Sequence, residues 1–89
     1  MQHHILLVED ETSITEMVSG YLTKEGFRVT TAADGEQGLS IASRERFDFI
    51  VADLRMPGMD GLEMIRRIRE MSSVPILIMS AKDGEGDKA

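Results

Sequence analysis

The feature that most constrains the fold is a strict alternation of short apolar runs with helical periodicity. Ile5-Leu6-Leu7-Val8 is a continuous apolar run that stops at Glu9-Asp10-Glu11, the pattern of a buried strand. Ile14, Met17, Val18, Tyr21 and Leu22 follow at the spacing of one helical stripe. Thr12 or Asp10 is expected to cap that helix, and Gly26 sits where a helix ends in the left-handed conformation. Phe27-Arg28-Val29-Thr30-Thr31-Ala32 alternates and is rich in β-formers, which suits an edge strand. After the turn signal Asp34-Gly35, Leu39, Ala42 and Phe47 suggest a second helix. Phe49-Ile50-Val51-Ala52 is the most apolar run and is expected at the centre of the sheet. Leu62, Ile65 and Ile68 then mark a third helix, and Val74 to Met79 a fourth strand with Pro75 near its start.

The order β-α-β-α-β-α-β requires parallel strands, because each crossover passes through a helix. Helices then cover both faces, and the crossovers are right-handed. The chain has 89 residues, one small domain. Its formal net charge of -6 argues against a nucleic-acid-binding face. No apolar run approaches membrane-spanning length, and no signal-peptide pattern opens the chain. There is no cysteine and so no disulfide framework, which fits a cytoplasmic protein. His3 and His4 could be leftovers of a tag, but two histidines alone prove nothing.

In such a sheet all strand C-termini lie on one edge, where ligands bind. Glu9 and Asp10 end the first strand, Asp53 the third and Ser80 the fourth. Three adjacent carboxylates repel one another unless a cation neutralises them. Hard oxygen donors of this kind suit Mg²⁺, though Mn²⁺ and Ca²⁺ share the ligand type. A carboxylate beside a metal also serves as a nucleophile towards phosphorus, and Asp53, ending the central strand, is the candidate. Ser80 is placed to hydrogen-bond a phosphoryl oxygen.

Each residue has a plainer reading. Glu9, Asp10 and Glu11 suit a helix N-terminus. Asp53 alone reads as a turn aspartate and Ser80 alone as an ordinary strand end. Asp60 suits a helix cap better than a metal. Arg66, Arg67 and Arg69 suit a solvated face, and the methionines suit core or loop filling. The combination on one edge favours the functional reading. Other nucleotide and phosphate chemistries fit less well. There is no GxxxxGK[ST], and VEDETS stands where a GxGxxG would. The acids would repel an FMN phosphate. An aspartate-nucleophile phosphatase would usually want a second acid where Arg55 stands.

The acidic pair after the first strand, Asp53 in IVADLRMPGMDG, and PILIMSA ending in Ser80-Ala81 resemble a two-component response regulator receiver domain. ADGEQGL, FDFIVADLRMPGMDGLEMIRRIR and SAKDGEGDK are similar to its winged-helix-effector branch. The resemblance runs from Ile5 to Lys88. It implies a flavodoxin-like doubly wound parallel sheet in the order 2-1-3-4, with Asp53 as phosphoacceptor. It implies Mg²⁺ held by Asp10 and Asp53 directly, by Glu9 through water and by the Arg55 backbone carbonyl. Ser80 becomes the switch hydroxyl, Pro57 and Gly58 shape the loop beside the acceptor, and a sensor histidine kinase is the donor. A transcriptional output through a DNA-binding effector follows by resemblance.

A complete receiver continues through a fourth helix, a fifth strand and a fifth helix, which the resemblance does not find here. Residues 1–89 are therefore expected to form a partial receiver domain. The phosphate-pairing lysine has no counterpart in this chain, since Lys82 and Lys88 do not match its place. Such a chain is expected to be poorly stable or to form a homodimer or swapped oligomer through its exposed fourth strand. The alternative reading is a receiver fragment that is not phosphorylated and acts only in dimerisation or protein binding.

Overall fold

The computed structural model describes residues 2–54, 59 and 61–79. The elements run β1 (His4–Val8), α1 (Thr12–Lys24), β2 (Arg28–Ala32), α2 (Gly35–Arg44), β3 (Phe49–Asp53), α3 (Gly61–Arg69) and β4 (Ile76–Met79). The four strands form one sheet in the order β2-β1-β3-β4, and every neighbouring pair is parallel. Both the expected order and the edge position of β2 are found, and the apolar β3 lies inside the sheet.

The two interior strands explain why their sequences are apolar throughout rather than alternating. Leu6 and Val8 of β1 join Ile50 and Ala52 of β3 on one face, where Met64 and Ile68 of α3 complete a fully buried cluster. Ile5, Leu7 and Val51 point to the other face, where Val18 and Leu22 of α1 pack. Side chains alternate between faces along a strand, so burial of both faces demands apolar residues at every position. Each large aliphatic side chain removed from water contributes about 1.5–3 kcal/mol.

The helices pack on narrower stripes than their sequences suggest. On α1, Met17 and Tyr21 flank the Val18–Leu22 line and are 66% and 62% exposed. On α3, Leu62 is exposed, and Met64 takes the buried place beside Ile68. A helix crossing a sheet buries only the side chains directly above the strands, and flanking apolar positions remain at the rim. Phe47 lies beyond α2, in the connection to β3, where its ring packs 4.3 Å from that of His4. Pro75 precedes β4 and accepts from Ile50 N–H at 2.9 Å.

The helix ends also differ from expectation. Glu11, not Thr12 or Asp10, is the N-cap of α1, and it makes no side-chain cap. Instead the Glu11 N–H donates to Glu9 Oε2 at 3.0 Å, and Thr15 Oγ1 donates to the Glu11 and Glu9 carbonyls. At α2 the turn residue Asp34 is the cap. Its Oδ1 accepts from Gln37 N–H at 2.8 Å, and Gln37 Oε1 accepts from Ala33 N–H at 3.1 Å. This reciprocal pair satisfies two donors that a helix start would otherwise leave open. Gly26 closes α1 with φ of 99°, as expected for a left-handed cap.

His4 has a structural place. It opens β1 with 8% exposure, and its Nε2 lies 2.7 Å from Thr30 Oγ1 on β2. Its N–H donates to Asp48 Oδ2 at 2.8 Å, while Asp48 N–H donates to the His4 carbonyl at the same distance. Asp48 thereby fastens the start of β3 to the start of β1. The His4 backbone N–H, aided by the nearby His3 and Arg46, holds the Asp48 carboxyl below its ordinary pKa of 3.8. A lowered carboxylate pKa adds stability above that ordinary value, and the gain disappears as pH falls through the lowered one. Asp48→Asn is expected to flatten the loss of melting temperature between pH 5 and pH 3; identical acid limbs in parent and variant would refute this role. In the core, Leu6→Ala should cost about 2–5 kcal/mol in urea unfolding, a large share of a small domain's stability.

Candidate functional site

The site follows from the register of the two interior strands. Val8 pairs with Ala52 in the parallel β1–β3 ladder, so the next residues, Glu9 and Asp53, emerge side by side at the carboxyl edge. Asp10 follows at the start of the connection to α1. One carboxylate oxygen of each of Glu9, Asp10 and Asp53 lies within 4.8 Å of the others. Glu9 is 3% and Asp53 2% exposed, whereas Asp10 faces solvent. Two acids are thus withdrawn from water and the third stands at the mouth.

Local hydrogen bonds hold this arrangement. Glu9 N–H donates to the Ala32 carbonyl at 3.0 Å, continuing the β1–β2 ladder past its last paired strand residue. The Glu9 carboxylate accepts from Glu11 N–H, which fixes the side chain beneath the first turn of α1. Thr12, Thr15, Thr31, Ala32 and Ala33 line a recess beside Glu9 and Asp10. Below Asp53 the chain leaves β3 through Leu54, whose carbonyl accepts from Gly61 N–H at 3.1 Å as α3 begins.

Burying carboxylates without compensation is costly, and bringing three together adds mutual repulsion. A hard divalent cation with all-oxygen ligands relieves both, and this donor set offers one oxygen from each of three side chains. The structure therefore brings together Glu9, Asp10 and Asp53. Arg55, Pro57, Gly58, Asp60 and Ser80, with the tail carrying Lys82 and Lys88, lie outside the described residues. Sequence reading missed the supports of the site, namely Thr15, Glu11 N–H and the Ala32 carbonyl. Their signal is weak, because threonines and backbone groups near a helix start look the same in any α/β protein.

A doubly wound α/β sheet with an acidic trio at the carboxyl edge of its two interior strands defines a receiver-type signalling module. The chain belongs to the response regulator receiver domain family, whose profile matches residues 5–89. It is 46% identical over 84 residues to the uncharacterized transcriptional regulatory protein YcbL of Bacillus subtilis, covering 94% of this chain and 37% of that protein. It is 42% identical over 83 residues to the transcriptional regulatory protein AfsQ1 of Streptomyces coelicolor, covering 93% and 37%. The chain thus spans little more than a third of the curated relatives it matches. Among solved structures, the receiver domain of the sensor histidine kinase PA1611 from Pseudomonas aeruginosa superposes with a TM-score of 0.88 at 37% identity. The match covers 99% of this chain and 75% of that one, and the PA1611 domain has magnesium coordinated in its active-site cleft. Vibrio cholerae CheY4, a chemotaxis protein, gives 0.84 at 38% identity over 97% of this chain and 78% of that one.

Asp10 is the solvent-facing member of the trio, so its loss removes charge without emptying the core. Asp10→Asn is expected to lower Mg²⁺ affinity about tenfold or more in a calorimetric titration. Unchanged affinity would exclude Asp10 as a direct ligand.

Proposed function

We propose that this chain is the phosphoacceptor module of a two-component response regulator, phosphorylated on Asp53. The observation that carries the reading is the convergence of Glu9, Asp10 and Asp53 at the carboxyl edge. Asp53 acts as the nucleophile: a carboxylate oxygen attacks the phosphorus of a phosphohistidine on a sensor histidine kinase. The new O–P bond forms as the P–N bond breaks, the imidazole leaves, and an acyl phosphate remains on Asp53.

Glu9, Asp10 and Asp53 would hold Mg²⁺, with the Arg55 backbone carbonyl as a further ligand. When bound, the ion offsets repulsion between the acids and the incoming phosphoryl oxygens. Glu9, anchored by Glu11 N–H, keeps its charge beside Asp53, and Asp10 guards the mouth where the donor arrives. Ser80 serves as the switch hydroxyl that bonds the phosphoryl group. Transfer to its own aspartate makes the module a switch rather than a turnover enzyme.

The relatives that are transcriptional regulators support a transcriptional output through a separate effector. With a net charge of -6, this chain itself contacts no nucleic acid in that scheme. A cytoplasmic site of action follows from the response regulator reading; no helix among the described residues is long and apolar enough to cross a membrane. Residues 1–89 supply the first four strands of the receiver domain.

A second reading, a protein-binding module that is not phosphorylated, draws on β4. This strand forms an edge of the described sheet, and its Leu77 and Ile78 are 53% and 44% exposed. Such an edge favours pairing with a second copy as a homodimer or swapped oligomer. Intact mass after incubation with acetyl phosphate and Mg²⁺ separates the two. One phosphoryl adduct, absent from Asp53→Asn, is expected; no adduct on the parent chain favours the binding module.

A further inference from the structure

We propose that Gly61, the first residue of α3, is a positioning residue for Asp53: it sets the backbone that carries the acceptor carboxylate by packing directly against it. The proposal rests on the reading of Asp53 as a phosphoacceptor in a Mg²⁺ site. Gly61 is buried. A Cβ placed on it would lie 2.6 Å from the Asp53 carbonyl oxygen, 2.6 Å from Leu54 Cα and 3.1 Å from Leu54 Cδ2. The two nearest are backbone atoms, which no change of rotamer can move aside. The φ of Gly61 is not in the left-handed region, so it is space, and not backbone conformation, that requires glycine. The Gly61 N–H also donates to the Leu54 carbonyl at 3.1 Å, so a hydrogen bond and a close contact join the same two segments.

Neither segment is free to withdraw. On α3, Gly61, Met64 and Ile68 form one buried stripe. Met64 and Ile68 are fully buried in the cluster that holds Leu6, Val8, Ile50 and Ala52, which pins the helix against the sheet. On the other side, β3 lies between β1 and β4, where Ala52 pairs with Val8 and Asp53 pairs with Met79. The Asp53–Leu54 peptide, where the strand ends, is the part that yields. A methyl group on residue 61 must push that peptide back until the contact reaches ordinary van der Waals separation. Asp53 then shifts relative to Glu9 on the neighbouring strand, and the carboxylate leaves its place among the acids.

The plainer reading is a glycine required by core packing alone, and Ile68→Val separates the two. That change removes one methylene from the same buried stripe and leaves the contact between Gly61 and Asp53–Leu54 as it is. Helix propensity favours alanine over glycine, so any loss in Gly61→Ala must come from the contact. The readout is the rate of phosphoryl adduct formation with acetyl phosphate at saturating Mg²⁺, followed by intact mass, beside the melting temperature. Gly61→Ala is expected to slow the adduct about tenfold, since a misplacement of about 1 Å can cost about a hundredfold and this contact opens by less. Ile68→Val should lower the melting temperature and keep the parent rate.

The parent rate in Gly61→Ala, or an equal slowing in Ile68→Val, would overturn the assignment. If Gly61→Ala is unfolded by circular dichroism, parent and variant are compared in trimethylamine N-oxide, which favours the compact state. A variant that folds there and stays slow beside the parent supports the contact. One that regains the parent rate, or that stays unfolded, overturns it, because the glycine then serves the fold alone. A parent chain that forms no more adduct than Asp53→Asn overturns the underlying phosphoacceptor reading, and the proposal falls with it. That result is seen in the parent, before any Gly61 variant is compared.

Discussion

The parallel pairing of β1 with β3 is the interaction on which the rest depends. Its register sets Leu6 beside Ile50 and Val8 beside Ala52, which builds the core between sheet and helices. The same register, carried one residue further, sets Glu9 beside Asp53. Core and site are therefore not independent. A slip of one residue would turn each apolar side chain to the opposite face and separate the two acids as well. Apolar burial, which favours a single register, stabilises a pair of carboxylates that would otherwise separate.

The opposite ends of these strands show how that register is fastened. At the amino edge, Asp48 exchanges two hydrogen bonds with His4, and the His4 imidazole reaches Thr30 on β2. At the carboxyl edge, the Glu9 N–H reaches the Ala32 carbonyl. Polar groups thus tie β1 to both β2 and β3 towards the amino edge, and β1 to β2 at the carboxyl edge, while the middles of β1 and β3 are apolar. On the outer face of α3, Glu63 bonds Arg66 and Arg67, and Arg66 also reaches Glu70. These exposed pairs add little to stability, and their value is in keeping that face solvated.

Helix starts are closed in two different ways. The α2 start is closed by its own side chains, Asp34 and Gln37, and presents a bare Cα to Met59. The α1 start lacks a side-chain cap of its own and takes the Glu9 carboxylate in its place. Glu9 is consequently both a helix anchor and a member of the acidic trio.

Much of this was legible in the sequence, for identifiable reasons. Alternation of apolar runs and helical stripes fixes strand and helix order, because the two periods are physically incompatible. Parallel crossovers then force the ends of β1 and β3 onto one edge, so Glu9, Asp10 and Asp53 could be grouped from sequence alone. The strand order 2-1-3-4 came from the family resemblance, not from periodicity. Tertiary structure decided which apolar residues are covered: Met64 rather than Leu62, and Val18 and Leu22 rather than Met17 and Tyr21. It also gave His4 a buried role and Gly35 a backbone neighbour in Met59. These depend on how far each helix is rotated against the sheet and how closely loops approach, distances that arise only when all elements pack together. Sequence carries the periodicity that selects elements and their order, but contact between distant residues is a property of the packed whole.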